Sequence, residues 1–272
     1  MNTTSKEKFV VYWLGYHPNP PAIQSLPQGI DVVNLFLLNL ASSPSGTTLD
    51  YNYITSQGTT WDEILSQSHA AQANGVKVCV SVIPPNNDLI WNTIPDPDTF
   101  AENVYNLVTQ WGLDGIDIDP EQGGGTIAPN QGFVAAVQAL SKYFGPASDE
   151  GLIMSFVSYE LYNDKTVLQP CASLFDYVML MGYFWSEHDM ISQFKQYAAI
   201  VGNQNLMFGI GGDPWITPLS ETKALAAWEP ANASKGGMME FNINDDANYQ
   251  AADAIIQILS SKAGLAQTAG PS

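Results

Sequence analysis

Residues Asp114 to Glu121 read Asp-Gly-Ile-Asp-Ile-Asp-Pro-Glu, and this stretch tells most about how the chain folds. Successive side chains of a β-strand point to opposite faces, so the alternation places Asp117, Asp119 and Glu121 on one face and both isoleucines on the other. In a parallel barrel the isoleucines meet the surrounding helices, and the acidic side chains point into the mouth of the barrel. We therefore interpret this stretch as a buried strand with Glu121 at its carboxyl end.

Short runs rich in β-branched and aromatic residues recur along the rest of the chain, separated by longer segments with helical patterning. Together with the acidic strand at 115–119, the predicted strands are residues 9–15, 32–39, 76–82, 152–158, 177–183, 206–211 and 237–242. The predicted helices are residues 61–74, 98–111, 130–144, 191–201, 219–228 and 246–262. Eight strands that alternate with helices over about 260 residues predict an α/β fold, namely a (β/α)8 TIM barrel.

A doubly wound parallel sheet is the alternative architecture. Such a sheet more often stops at six or seven strands, and its dinucleotide-binding form carries a Gly-rich turn after the first strand, which this sequence lacks. We expect a single domain over residues 1–272, with an ordered barrel at about 8–262 and a frayed, small and polar tail at 263–272.

The charge balance excludes several classes of partner. The 272 residues include 27 acidic and 9 basic side chains, for a formal net charge of -18, and every basic residue is a lysine. Because no basic patch exists we expect no nucleic acid as partner, and because arginine is absent we expect no bidentate clamp on phosphate. No apolar run approaches the roughly 18 residues of a membrane span, so we expect no membrane partner.

The sequence carries few signals of compartment or assembly. Residues 1–8 are polar and lack the apolar segment of a secretory signal, which leaves open a cytoplasmic protein and a secreted one whose leader is absent. Cys79 lies in a predicted strand and Cys171 in a predicted loop, so we expect two unpaired thiols. We expect the protein to be a monomer.

Three acids on one face of a buried strand are electrostatically costly. Like charges in a medium of low polarity resist joint ionisation, so the set holds at least one proton near neutral pH, as a general acid must. A solvated acidic loop is one alternative, but a loop has no reason to place isoleucine at every second position. A divalent-metal site is another, but no two of His17, His69 and His188 have the spacing of metal ligands. We expect catalytic carboxylates and no cofactor.

The acidic stretch resembles the signature of the family 18 glycoside hydrolases, which comprise chitinases and endo-β-N-acetylglucosaminidases. The resembling residues are Asp114, Asp117, Asp119 and Glu121, in the spacing Asp-x-x-Asp-x-Asp-x-Glu. Further segments match that family in order across nearly the whole chain, namely residues 33–36, 77–81, 181–183 and 236–246. The resemblance implies a TIM barrel without the small α+β insertion of many chitinases, because only about 25 residues separate the last two predicted strands.

The resemblance also implies a mechanism and roles for the acids. Glu121 protonates the glycosidic oxygen, and the 2-acetamido group of the substrate attacks the anomeric carbon with retention of configuration. Asp119 orients that acetamido group, Asp117 lies behind Asp119 and shares its proton, and Asp114 is structural. Tyr183 hydrogen-bonds the acetamido oxygen.

Candidate substrate-binding residues lie near the carboxyl ends of the predicted strands, where barrel enzymes place their chemistry. They are Tyr16, Phe36, Ser81, Met181, Trp185 and Phe241. Trp91 and Trp215 also follow predicted strands, and residues 122–129 are expected to form a rim on the acceptor side. The chain departs from the family pattern at Phe184, at Val82-Ile83 and at Phe241, which stands where tryptophan is more frequent.

Several functions remain open from the sequence alone. We expect an endo-acting hydrolase that cleaves β-1,4 bonds after N-acetylglucosamine in chitin or chito-oligosaccharides, with an oligo- or polysaccharide as partner. One alternative is an endo-β-N-acetylglucosaminidase that acts on the chitobiose core of N-glycans. Another is a non-catalytic, chitinase-like sugar-binding protein, although such relatives usually lose the acid. A third alternative is a barrel enzyme that acts on phosphorylated substrates and binds the phosphate group at Gly211 and Gly212. The absence of arginine argues against it.

Overall fold

The computed structural model describes residues 6–85, 89–121, 130–212 and 216–268, and within them eight parallel strands close into a barrel. The strands are β1 Lys8–Leu14, β2 Val32–Ser43, β3 Gly46–Asp50, β4 Lys77–Ile83, β5 Gly115–Ile118, β6 Ile153–Ser158, β7 Tyr177–Leu180, β8 Leu206–Gly211 and β9 Gly237–Phe241. Their order is β1-β9-β8-β7-β6-β5-β4-β2-β3. Because β1 also pairs with β2, the other eight strands form a closed ring and β3 lies outside it. The predicted single-domain TIM barrel is confirmed.

Helices surround the barrel in the described residues. They are α1 Trp61–Gln72, α2 Pro97–Gln110, α3 Gln131–Leu140, α4 Leu161–Cys171, α5 Glu187–Val201, α6 Leu219–Ala227 and α7 Gln250–Thr268. Helix α1 begins at a capping box of Thr60 and Glu63, and α2 begins at Asp96 with proline in its first turn. Of these described helices, none has both the length and the apolar character that crossing a membrane requires.

Three elements differ from the sequence-based prediction. Helix α7 continues to Thr268, although the sequence predicts a frayed tail from residue 263. Helix α4 is not indicated by the sequence, because no side chain caps its start at Glu160 and Pro170 lies inside it. Strand β2 is longer than predicted and forms an antiparallel hairpin with β3, which the Ser-, Pro- and Thr-rich sequence around Pro44 does not indicate. Strand β3 packs on the outside of the barrel, where Asn103 of α2 donates hydrogen bonds to the backbone oxygens of Ser45 and Thr47.

The apolar residues form two separate layers. The larger one lies between the barrel and the helices and contains Ile116 and Ile118. The smaller one fills the barrel interior and consists of Val10, Tyr12, Leu14, Val32, Phe36, Cys79, Val157, Tyr177, Met179, Met181, Met207 and Met239. Cys79 and Cys171 are both buried and unpaired, as expected.

Charged residues meet at the amino-terminal end of the barrel, opposite the mouth. The buried ammonium group of Lys235 lies 2.7 Å from Glu7 and donates hydrogen bonds to the backbone oxygens of Ala226 and Trp228. Lys262 pairs with Glu7 at 2.5 Å and also with Glu229. We call these four charged residues, Glu7, Glu229, Lys235 and Lys262, the basal ion cluster. Burial lowers the pKa of Lys235, and the charge and hydrogen bond of Glu7 offset part of this decrease.

Candidate active site

The acidic stretch lies on β5 and on the residues that follow it. Ile116 and Ile118 pack toward the helices, while Asp117 points into the barrel interior. Asp119 and Glu121 come directly after the strand, at the carboxyl end where barrel enzymes place their catalytic groups.

Three hydroxyl groups hold the carboxylate of Asp117. Its Oδ2 atom accepts from Tyr12 Oη at 2.6 Å and from Ser81 Oγ at 2.8 Å, and its Oδ1 atom accepts from Ser155 Oγ at 2.6 Å. Ser81 and Ser155 are the register partners of Asp117 on β4 and β6, so the pairing of the strands itself brings them together. Burial raises the pKa of Asp117, and the three hydrogen bonds offset part of that rise.

Asp119 and Glu121 form a close acidic pair. The backbone N–H of Glu121 donates to Asp119 Oδ1 at 3.0 Å, and the backbone oxygen of Asp119 accepts from the indole of Trp91 at 2.7 Å. Burial, and next the charge of Glu121, raise the pKa of Asp119 well above its ordinary value. Loss of solvation also raises the pKa of Glu121, although this side chain is the more exposed of the two. The pair therefore retains a proton at a higher pH than two free carboxyl groups do.

Asp114 lies at the opposite end of β5. Its carboxylate accepts from the backbone N–H of Val78 at 2.9 Å and from Gln72 Nε2 at 2.6 Å, and it pairs with Lys77 at 2.7 Å. These contacts tie β5 to β4 and α1 at the base of the barrel, far from Glu121.

Five aromatic side chains gather at the mouth of the barrel. The ring of Phe241 lies 5.6 Å from Tyr12, 5.3 Å from Phe36 and 5.5 Å from Tyr183, measured between centroids, and it stacks on Tyr183. Tyr16 joins them through Phe36 at 6.3 Å. We call this group, Tyr12, Tyr16, Phe36, Tyr183 and Phe241, the aromatic floor. Aromatic faces of this kind suit the apolar C–H faces of a sugar ring.

The phenol of Tyr183 lies next to the acidic pair. Burial, followed by the charges of Asp119 and Glu121, raises its pKa well above the ordinary value. Its hydroxyl group approaches the sulfur of Met239 at 3.8 Å. Met181, which the sequence also marks as a candidate, is buried in the barrel interior beneath the floor.

The remaining candidates differ in their placement. Ser81 is fully buried beside Asp117, whereas Trp185 is half-buried and packs against the larger apolar layer between barrel and helices. Trp91 is buried and stacks on Phe133 with a centroid distance of 5.3 Å. Trp215 and the rim at 122–129 lie outside the described residues.

The site also contains residues that the sequence-based prediction omits. Ser155 has a usable signal, because it alternates inward with Val157 on a strand next to the acidic one. Phe184 is marked in the sequence only as a departure from the family pattern, yet its ring is 58% exposed and lies 6.3 Å from that of Tyr183. Tyr53, 4.8 Å from Tyr16, follows the unpredicted hairpin and has no sequence signal.

Comparison with known proteins agrees with this geometry. The family model of the endo-β-N-acetylglucosaminidase EndoS TIM-barrel domain matches residues 12–240. Endo-β-N-acetylglucosaminidase F2 of Elizabethkingia meningoseptica is 28% identical over 251 residues, which is 84% of this chain and 69% of the relative. An endo-β-N-acetylglucosaminidase of Flavobacterium sp. (strain SK1022) is 32% identical over 226 residues, which is 79% of this chain and 67% of the relative.

The fold is also that of solved family 18 enzymes. The crystal structure of a GH18 chitinase from Pseudoalteromonas aurantia superposes with a TM-score of 0.72 at 18% identity, over 93% of this chain and 100% of that one. With a matching family model over most of its length, the chain belongs to the family of the EndoS TIM-barrel domain and is a family 18 glycoside hydrolase.

Proposed function

We propose that this hydrolase cleaves the β-1,4 bond that follows N-acetylglucosamine, with Glu121 as general acid and base and with retention at the anomeric carbon. The arrangement of Asp117, Asp119 and Glu121 carries the proposal. The backbone N–H of Glu121 donates a hydrogen bond to the side chain of Asp119, and three hydroxyl groups hold Asp117. The three acids therefore follow one another from the barrel interior to its mouth. The raised pKa values of the outer two keep a proton available for transfer.

In the first step Glu121 gives its proton to the glycosidic oxygen. The bond from that oxygen to the anomeric carbon breaks as the carbonyl oxygen of the substrate's own 2-acetamido group forms a bond to the same carbon. The product is a cyclic oxazolinium ion, and the leaving sugar departs with the proton as a new hydroxyl group. Asp119, as a carboxylate, accepts from the acetamido N–H and offsets the positive charge of the ion.

In the second step the ionised Glu121 takes a proton from water. The water oxygen bonds to the anomeric carbon, the bond to the acetamido oxygen breaks, and the sugar regains its starting configuration. Tyr183, whose phenol lies beside the acidic pair, is positioned to donate a hydrogen bond to the acetamido oxygen. The aromatic floor carries the sugar ring on the donor side.

For the substrate we propose the chitobiose core of N-glycans. Both curated relatives are named endo-β-N-acetylglucosaminidases, and the matching family model describes the barrel of another. These names favour N-glycans as the substrate, whereas the sequence alone suggests chitin. The short connection between β8 and β9, which holds only α6 as a described helix, fits an open groove that a branched glycan can enter.

Chitin oligomers remain the second candidate, because they contain the same bond and the same 2-acetamido group. We would incubate the protein with a high-mannose glycoprotein, with chitin oligomers and with cello-oligomers, and follow the products by mass spectrometry. We expect release of the glycan, slower or no cleavage of chitin oligomers, and no cleavage of cello-oligomers, which lack the acetamido group.

Glu121→Gln is expected to lower turnover by at least about 1,000-fold, because it removes the proton donor. Glu102→Gln, an exposed carboxylate on α2, is the matched control and keeps full activity. Turnover that survives Glu121→Gln would remove the assignment of the acid. Cleavage of cello-oligomers would refute assistance by the acetamido group, and a wild type that binds but cleaves neither glycan nor chitin would favour the sugar-binding alternative.

A further inference from the structure

The sulfur atom of a buried methionine lies next to the hydroxyl group of Tyr183. Met239 is on β9, is fully buried and points into the barrel interior, beneath the aromatic floor. The hydroxyl group of Tyr183 donates a hydrogen bond to Met239 Sδ, with 3.8 Å between oxygen and sulfur. The proposed mechanism uses this hydroxyl group and assigns no role to the sulfur that receives its proton.

A gap in the neighbouring strand fixes the side chain of Met239. Its register partner on β8 is Gly209. A Cβ atom at position 209 would lie 2.6 Å from the methyl carbon of Met239 and would also collide with the backbone oxygen of Leu180, so only glycine leaves room for the methionine. The thioether is therefore held between Gly209 on one side and the hydroxyl group of Tyr183 on the other.

The backbone and ring of Tyr183 are fixed as well. The ring stacks on Phe241 with a centroid distance of 5.5 Å and an angle of 22° between the planes. The residue before it, Gly182, packs so closely on Met190 of α5 that a Cβ atom at position 182 would overlap the sulfur of that methionine. The remaining freedom of the Tyr183 side chain is the direction of its O–H bond, and the hydrogen bond to Met239 sets that direction.

The direction of this O–H bond matters because stronger acceptors are close by. Burial, and then the charges of Asp119 and Glu121, raise the pKa of Tyr183. Among the described residues the hydroxyl group nevertheless donates to the sulfur of Met239 and not to a carboxylate oxygen. A thioether sulfur is a weak acceptor, so it directs the proton without binding it strongly.

We propose that Met239 is a positioning residue of this hydrolase. Its sulfur keeps the hydroxyl group of Tyr183 away from the acidic pair until the 2-acetamido oxygen of the substrate replaces the sulfur as acceptor. This role rests on the proposed function, in which Tyr183 donates to that oxygen. A carboxylate in place of the sulfur would form a charge-assisted bond roughly twice as strong, which the substrate would have to break. Asp119 likewise stays free to accept from the acetamido N–H.

The contact itself is tested without turnover. Protein labelled with [13C-methyl]methionine gives a resonance for each of its eight methionines, and Met239→Leu assigns that of Met239. Tyr183→Phe keeps the ring and removes the hydroxyl group, so we expect it to shift the Met239 resonance. The resonance of Met207, which also points into the barrel interior, should stay in place. A Met239 resonance that is the same in wild type and in Tyr183→Phe would overturn the proposal.

The positioning role is measured by a double-mutant cycle. Met239→Leu keeps an apolar side chain of similar volume and removes the sulfur. We expect this variant to lower kcat on a high-mannose glycopeptide by about 3–10-fold, with KM within about 2-fold of the wild-type value. In a Tyr183→Phe background the same change should lower kcat by less than about 2-fold, because the group on which the sulfur acts is absent.

Met207→Leu is the matched control. It also removes a buried thioether from the barrel interior, but its sulfur is not the partner of Tyr183 in the described structure, so kcat should be unchanged. Equal losses from Met239→Leu in the wild-type and Tyr183→Phe backgrounds would show that Met239 only fills space, and the proposal would be wrong. A wild type that cleaves no substrate refutes the proposed function, whereas an unresponsive Met239 resonance in an active wild type refutes the role of Met239 alone.

Discussion

The phenol of Tyr12 on β1 donates a hydrogen bond to Asp117 on β5 at 2.6 Å, across the interior of the barrel. Strands β2 and β4 lie between these two strands in the ring, so the bond crosses the interior between strands that are not neighbours. The innermost acid of the candidate site is therefore held by a residue 105 positions earlier in the chain.

Replacing Tyr12 by phenylalanine should lower kcat/KM by about 10–100-fold. The change removes one of three donors from a buried carboxylate, a bond to a charged group worth about 1.5–3 kcal/mol. The pKa of Asp117 should rise further, because the remaining hydroxyl groups offset less of the cost of burial. The measurement is kcat/KM on the N-glycan substrate between pH 4 and pH 9.

Tyr197→Phe is the control for this change. Tyr197 is an equally buried tyrosine, but its hydroxyl group contacts Ser158 in the layer between barrel and helices. It should alter stability without altering kcat/KM. Equal activities of the Tyr12 and Tyr197 variants would mean that Asp117 does not need its third donor.

Replacing Asp119 by asparagine should change the pH dependence of the reaction as well as its rate. The two carboxyl groups of the pair repel one another when both are ionised, so each helps the other to keep its proton. Without the charge at Asp119, Glu121 should lose its proton at a lower pH. We expect the alkaline limb of kcat/KM to move toward acid pH, together with a loss of at least about 100-fold at the optimum.

The readout is a pH profile recorded at constant ionic strength. Asp189→Asn, at the start of α5, serves as control because it removes one charge from an exposed position outside the pair. An alkaline limb that stays in place, or that moves to higher pH, is incompatible with coupling between Asp119 and Glu121.

Phe184 should contribute to binding of the sugar chain. Its exposed ring lies beside Tyr183, and stacking of an aromatic ring is worth about 0.5–1.5 kcal/mol. Phe184→Ala should therefore raise KM by about 2–10-fold and leave kcat within about 2-fold. Tyr51→Ala is the control, because Tyr51 is a partly exposed aromatic that stacks on Trp61 instead. A fall in kcat at unchanged KM would place Phe184 in the chemistry and not in binding.

Lys235 should matter for stability and not for catalysis. Its replacement by alanine leaves Glu7 with one cation fewer and the backbone oxygen of Trp228 without the ammonium donor, which costs about 3–5 kcal/mol for a buried pair. Lys142→Ala breaks an exposed pair with Asp98 and should cost less than about 1 kcal/mol. Urea unfolding at pH 7 measures both, and kcat/KM at 25 °C should be unchanged in either variant.

Much of the fold follows from local sequence patterns. The alternation of acids and isoleucines at 114–121 predicts both the strand and the face that each side chain takes, and the structure has Ile116 and Ile118 among the helices and Asp117 inside the barrel. Gly112 directly follows the C-cap residue of α2 and Gly75 lies three residues after α1, and both have positive φ, as their place after each helical pattern predicts.

The remaining features depend on contacts between distant parts of the chain. The hairpin of β2 and β3 is held by hydrogen bonds from Asn103, and α4 keeps its helical form despite Pro170 because its apolar face packs on the barrel. No pattern within a short stretch encodes these distances.

The basal ion cluster and the acidic pair stand at opposite ends of the same barrel, joined by strands whose interior is filled with side chains. Tolerance to heat and choice of substrate can therefore be altered independently. A library of changes around Glu7 and Lys262 can be screened for survival at high temperature while the mouth is left intact. A second library in the loops beside Glu121 can be screened for the sugars it accepts. The best members of the two can then be combined in one chain with largely additive effects.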